Sequence, residues 1–156
     1  MALFGGPKKD VEHGLRPGFR DMRWGDLPKK NMTVLDDTGD DRFCLIDGDD
    51  LTFGGATVDR IVYKYWQGRL AEVLVEIPPP AADGLFKSLV ADWGKPERPN
   101  AFIDDYFWKN RKLGVEETVA AYSKNPGTKA ATLTISSGYI QKKRLLVPQA
   151  VAPPKP

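Results

Sequence analysis

One cysteine and one histidine in 156 residues remove whole classes of chemistry before any pattern is read. Cys44 has no partner for an internal disulfide. One thiol and one imidazole cannot complete the ligand set of a zinc site within the chain. A nucleophilic triad needs an imidazole held rigidly. His13 instead falls in an N-terminal stretch rich in glycine, proline and charge, and Cys44 lies in the apolar run Phe43, Cys44, Leu45, Ile46. There a thiol acts as a small buried hydrophobe. Long apolar runs are missing too. No stretch approaches the roughly 18 residues that a membrane span needs, and the opening residues hold no apolar core of signal-peptide length. The expectation is a cytoplasmic protein with no membrane span, or a periplasmic or envelope one if a leader precedes this sequence. The run GGATVD lacks the Lys-Ser/Thr of a phosphate loop, and no G-x-G-x-x-G occurs. No cofactor and no metal are expected.

The net charge is only +2, but it is segregated. From Asp36 to Asp59, eight acids face Arg42 alone, which gives −7; from Lys95 onward, eleven Lys and Arg face five acids, which gives +6. Such asymmetry orients a partner or a neighbouring copy, or it marks two solvated faces, the reading favoured here. The acidic turns DDTGDD (36–41) and DGDD (47–50) do not fit a calcium loop with its distal Glu. They read as Asp and Gly used for backbone reasons. Lys142, Lys143 and Arg144, with Lys109, Arg111 and Lys112 beside Tyr106 and Trp108, combine basic and aromatic side chains as single-strand binders do. A pI of about 8.6 falls below the guide value of roughly 9, so a nucleic-acid partner is not expected.

What the chain does have is a folding signal over residues 51–94. Ile61, Tyr63 and Tyr65 alternate with Val62, Lys64 and Trp66. Gln67-Gly68 closes a hairpin, and in the return strand Val73, Val75 and Ile77 oppose Glu72, Leu74 and Glu76. The glutamate face is at least partly wet, which argues for an antiparallel sheet with one covered face. Pro78-Pro79-Pro80 ends the ladder. Ala82, Leu85, Phe86, Leu89, Val90 and Trp93 then recur at helical spacing, with Gly94 as a cap and Pro96 as a stop. Burying those six side chains contributes on the order of 10 kcal/mol before entropy.

Around this core the pattern predicts a short strand at 19–24, a hairpin at 32–35 and 42–46, and a bulge or bend at Gly54-Gly55. A meander at 101–108, 115–123 and 129–137 follows, then a brief helix at 139–146. The fold class is α+β: a mostly antiparallel sheet of about six to eight strands with one main amphipathic helix, 81–93, packed on one face. Residues 1–18 read as a mobile arm, 19–146 as one domain, and 147–156 as a proline-rich disordered tail.

No catalytic residue is nominated. Adjacent acids in Asp104-Asp105 and Glu116-Glu117 point to opposite faces of their strands and do not converge. The covered face is accounted for by folding. The opposite face of the hairpin, expected to be exposed, carries the candidate binding residues Lys64, Trp66, Glu72 and Glu76.

The phrases FRDMRWG (19–25), LTFGGATVDRIVYKYWQGRL (51–70) and LVADWGKPERPN (89–100) resemble small uncharacterised bacterial domains, some of them exported or lipid-anchored. The helix ending in WGKP before an aromatic strand is distantly similar to the BamE/SmpA type of envelope domain, without its signal peptide or lipobox cysteine. The resemblance supplies no catalytic motif. The lack of a catalytic set and the exposed aromatic and charged strand positions point to a bacterial, non-enzymatic binding or assembly module whose partner is another protein or a second copy. The alternatives are a small-ligand binder or hydrolase using the strand carboxylates, and a homodimeric structural protein.

Overall fold

The computed structural model describes residues 14–109 and 117–146. His13, Arg111, Lys112, Glu116 and the proline-rich stretch 147–156 lie outside the described residues.

Two short hairpins and a seven-stranded sheet are built in chain order. β1 (Gly18–Phe19) and β2 (Met22–Arg23) form the first hairpin. β3 (Met32–Asp37) and β4 (Asp41–Ile46) pair with a bulge at Leu35. β5 (Thr52–Phe53) and β6 (Ala56–Thr57) make a second small hairpin. β7 (Arg60–Trp66) and β8 (Arg69–Ile77) follow, then helix α1 (Pro79–Trp93). β9 (Asp105–Lys109), β10 (Thr118–Lys124), β11 (Ala131–Ser137) and helix α2 (Gly138–Leu146) complete the domain. The large sheet has the order β3-β4-β7-β8-β11-β10-β9 and is antiparallel throughout. The chain leaves the middle of the sheet at β8, crosses through α1 to the far edge at β9, and meanders back until β11 pairs with β8.

Register decides which side chains share a face. Ile61, Val75 and Leu133 lie opposite one another, as do Tyr63, Val73 and Ile135, with Ala120, Tyr122 and Trp108 on the same side. All are buried. α1 covers the β9–β11 half of this face. Its Phe86 packs on Tyr106, Trp108 and Tyr122, and the Tyr122 hydroxyl donates to the Ala82 carbonyl. Only Ala82, Leu85 and Leu89 of the expected apolar stripe are fully buried; Phe86, Val90 and Trp93 are half-buried. The two small hairpins cover the other half, where Phe19 stacks on Phe53 and meets Tyr63 edge-on.

Several boundaries move from the sequence expectation for physical reasons. α1 begins two residues early, because Pro79 and Pro80 occupy the first turn, where no N–H is needed. The expected bend at Gly54-Gly55 is a hairpin turn. Both glycines have left-handed φ, and a Cβ on Gly54 would sit 2.2 Å from Leu85 Cδ1. The expected strand at 101–108 starts only at Asp105. Asn100 takes the Phe102 N–H and Arg98 takes the Ile103 carbonyl, which fold 101–103 into a turn and leave Phe102 fully exposed. Residues 14–18, assigned by sequence to the arm, belong to the fold: Leu15 packs on the core, and the Arg16 carbonyl accepts the Thr118 hydroxyl.

Candidate functional site

The second face of the sheet holds the four candidate residues, and the structure separates their roles. Lys64 and Glu72 are direct cross-strand partners, and α2 lies over this end of the face. Gln141 of α2 donates to Glu72, and Arg144 pairs with Asp41 at 3.1 Å. Lys64 stands 4.0 Å from Asp41 and lies over the Phe43 ring. Burial pushes the Glu72 carboxyl above its ordinary range, with Lys64 and Arg144 opposing. Glu76 sits four residues further along β8, where Arg60 binds it at 2.7 Å. Trp66 is the clearest departure. It was expected on an exposed surface, but it is only 7% exposed.

Trp66 is buried because three separate segments meet over it. It ends β7, just before the turn Gln67-Gly68, whose two positive φ values (49° and 77°) match the twist of the hairpin. The 24–26 segment clamps onto the start of β8: the Gly25 N–H donates to the Leu70 carbonyl, and the Leu70 N–H to the Asp26 carbonyl. This places Trp24 beside Trp66, with the Trp24 indole donating to the Thr118 hydroxyl at 2.8 Å. The third segment is α2. The Ser137 hydroxyl accepts the Ile140 N–H, an N-terminal cap that sets the direction of the helix. Glu117 fixes the same end, sealed between Lys109 and Lys142. Burial opposes its charge, but the hydrogen bonds from the two lysines outweigh that and hold the carboxyl below its ordinary range. Gly138 passes so close that a Cβ there would lie 2.1 Å from Glu117 Oε1.

The result is a cleft of about 290 Å³ at one end of the sheet. Trp24, Trp66, Tyr139 and Ile140 form its walls, and Arg69 and Lys143 stand at it. No Asp or Glu lines it. Among the described residues, the Arg69 side chain makes one hydrogen bond, at 3.3 Å to the Gly25 carbonyl. Neither Lys143 nor the Trp66 indole N–H has a partner among the described residues, and the Trp66 nitrogen is not sealed from solvent.

Other features compare poorly. A larger cavity of about 540 Å³ opens under α1, lined by Leu15, Phe19, Phe53, Leu89, Trp93 and Ile135. Its charged rim is already engaged, since Arg20 binds Asp49 and the carbonyls of Asp50 and Thr52. The strand acids do not converge. Asp104 pairs with Arg98 and Asp105 with Ser123 at one end of β10, while Glu117 lies at the other end, roughly 20 Å along the strand. Glu117 is 3% exposed, with both carboxylate oxygens taken by Lys109 and Lys142. The acidic turns already use their carboxylates: Asp37 on the Gly39 N–H and Arg42, Asp50 on the Thr52 N–H, Asp41 on Arg144, and Asp49 on Tyr63 and Arg20. No cluster of three or more metal-binding side chains occurs among the described residues. Burial raises the Cys44 thiol above its ordinary pKa, which suits an inert core group. In the basic cluster, Lys142 and Arg144 are consumed by Glu117 and Asp41, which leaves Lys143. No helix among the described residues is long and apolar enough to cross a membrane.

Of the cleft residues, sequence reasoning reached Trp66 alone among the candidates. Arg69 is the cross-strand partner of Trp66, and Tyr139 and Lys143 stand one turn apart on α2, but no periodicity or spacing links these pairs to each other or to Trp24. No family model matches this chain, and no curated protein or solved structure matches it either.

Proposed function

We propose that this protein is a non-enzymatic binding module that receives its partner at the Trp24–Trp66 cleft. The observation that carries this reading is a convergence. Two tryptophans and a tyrosine from three unconnected segments surround one recess, and the indole N–H of Trp66 has no partner among the described residues. Folding alone places aromatic rings in cores and pairs their polar atoms. A ring with its body buried and its donor unpaired suits an incoming acceptor. Aromatic side chains in a desolvated pocket also supply most of the energy in protein interfaces.

The test is a binding map. Neutral aromatic probes (phenol, indole and benzamide) are titrated into the 15N-labelled protein and followed by amide and indole shifts. The reading expects the largest shifts at Trp24, Trp66 and Tyr139. It fails if the shifts gather under α1 instead, or if none of the three probes perturbs the cleft at millimolar concentration. A kinship with bacterial envelope domains rests on the residue phrases given above, and a module of that kind is compatible with a cleft of this sort.

A further inference from the structure

The cleft has a chemistry more specific than "aromatic". We propose that it binds an aromatic ring carrying a carboxylate: the ring sits against Trp24, Trp66 and Tyr139, and the carboxylate is met by Arg69, Lys143 and the Trp66 indole N–H. This rests on the reading of the cleft as the binding site.

Size limits the ligand first. About 290 Å³ is at the bottom of the range for ligand pockets, enough for one ring system and a short substituent. Ring-lined walls favour a flat ligand, through offset or edge-on contacts worth more than area alone. Charge then chooses among flat ligands. A box of two tryptophans and a tyrosine would ordinarily suit a cation held over the ring faces. Here two cationic side chains stand at the cleft and no carboxylate balances them, so a cationic ligand is repelled. The unpaired groups point the same way. The Trp66 N–H and the Lys143 ammonium have no partner among the described residues, and Arg69 spends one weak bond on Gly25. All three are donors. A carboxylate can accept from all three at once, and charge-assisted bonds of this kind are the stronger ones.

The same chemistry comes from two sources: a free aryl carboxylic acid, or the C-terminal aromatic residue of a peptide, whose ring and carboxylate are separated by two carbons. The experiment separates them. 3-Phenylpropionate and acetyl-Gly-Phe are each titrated as the free acid and as the matched amide, with the Trp24 and Trp66 indole resonances as the readout. Both proteins, wild type and Lys143→Ala, are used; Lys143 is exposed and makes no contact that folding needs. The expected result is that the acids bind about tenfold more tightly than their amides. Lys143→Ala should remove most of that preference by weakening the acids much more than the amides. Tighter binding of 3-phenylpropionate assigns the free acid as the source; tighter binding of acetyl-Gly-Phe assigns the peptide terminus, and either supports the proposal. Equal binding of acids and amides overturns the carboxylate assignment while the cleft stands as a site for rings. Silence of both indole resonances with every probe overturns the cleft itself.

Discussion

Tyr63 is completely buried at the centre of the covered face, yet its hydroxyl reaches Asp49 at 2.7 Å. The other oxygen of Asp49 takes Arg20 at 3.1 Å. Arg20 holds left-handed φ in the β1–β2 turn and also binds the carbonyls of Asp50 and Thr52. One carboxylate therefore ties the β1–β2 hairpin, the 47–50 turn and the sheet together. Asp49→Ala leaves the Tyr63 hydroxyl buried without an acceptor, a cost of about 1–3 kcal/mol. The Arg20 pair is partly solvated, at 27% and 13% exposure, so it adds at most about 1 kcal/mol. The expected loss is about 1–4 kcal/mol, or a fall in Tm of roughly 2–16 °C for a chain of this size. Tyr63→Phe should cost only about 1 kcal/mol, because Asp49 keeps Arg20. In Asp49→Ala/Tyr63→Phe the orphan hydroxyl is gone, so the double variant should be more stable than the sum of the single losses by about 1–2 kcal/mol. Urea unfolding followed by tryptophan fluorescence measures all four corners of the cycle. Additive losses would show that the carboxylate and the hydroxyl do not depend on each other, and the reasoning would fail.

Tyr65 is the opposite case: its buried hydroxyl has no partner among the described residues, and burial pushes it up to about 12. Tyr65→Phe should leave stability unchanged or raise it by up to about 1 kcal/mol; a clear loss in urea unfolding would show that the hydroxyl is bonded after all. Glu72 has its folded pKa raised, so its penalty is absent below the ordinary value of 4.5, grows as pH rises from there to the folded value, and is complete above it. Glu72→Gln should therefore exceed the wild type in stability at pH 7 and converge with it below pH 4.5, and a parallel offset at every pH in thermal melts would contradict this. Gly54→Ala combines left-handed φ with a clash on Leu85 and should cost about 2 kcal/mol or more; a neutral result would mean that the β5–β6 hairpin swings freely off α1.

Alternation and helical spacing made the centre of the fold legible. Ile61, Tyr63, Val73, Val75 and Ile77 face inward as their period requires, and the Gln67-Gly68 turn and Gly94 cap stand where the residues put them. What could not be read was which face of each peripheral strand meets which distant segment. Ala71 is buried because the ladder shifts between Lys64-Tyr65 and the start of β8, a bulge with no sequence mark. Asp49 reads locally as a turn former; its link to Tyr63 spans 14 residues. Trp66 reads as a solvent-facing ring on an alternating strand. Only the docking of the 24–26 segment and α2, held by backbone bonds to Leu70 and by the Ser137 cap, shows that it walls a cleft.

The two helices are held in different ways, and the cleft belongs to the weaker one. α1 is fixed by buried Leu85 and Leu89 and a cluster of aromatic rings. α2 buries only Gly138 and Ile140 and leaves Leu145 and Leu146 at 80% and 83% exposure. Its remaining attachments are polar: Gln141 to Glu72, Lys142 to Glu117 and Arg144 to Asp41. Partly exposed pairs of this kind are worth about 0–1 kcal/mol each and are screened by salt. Local opening of α2 should thus need far less free energy than opening of β8 or β11, and it should grow easier as salt rises. Since Tyr139 and Lys143 leave with the helix, opening dismantles the cleft. A ligand seated there must stabilise α2, by about 2.7 kcal/mol at a hundredfold excess over Kd. Hydrogen exchange reads this directly. Amides of α2 should exchange faster than those of β8, faster still in high salt, and slow selectively when an aryl carboxylate is added. Uniform slowing across the sheet, with no preference for α2, would place the ligand on the core instead of the cleft.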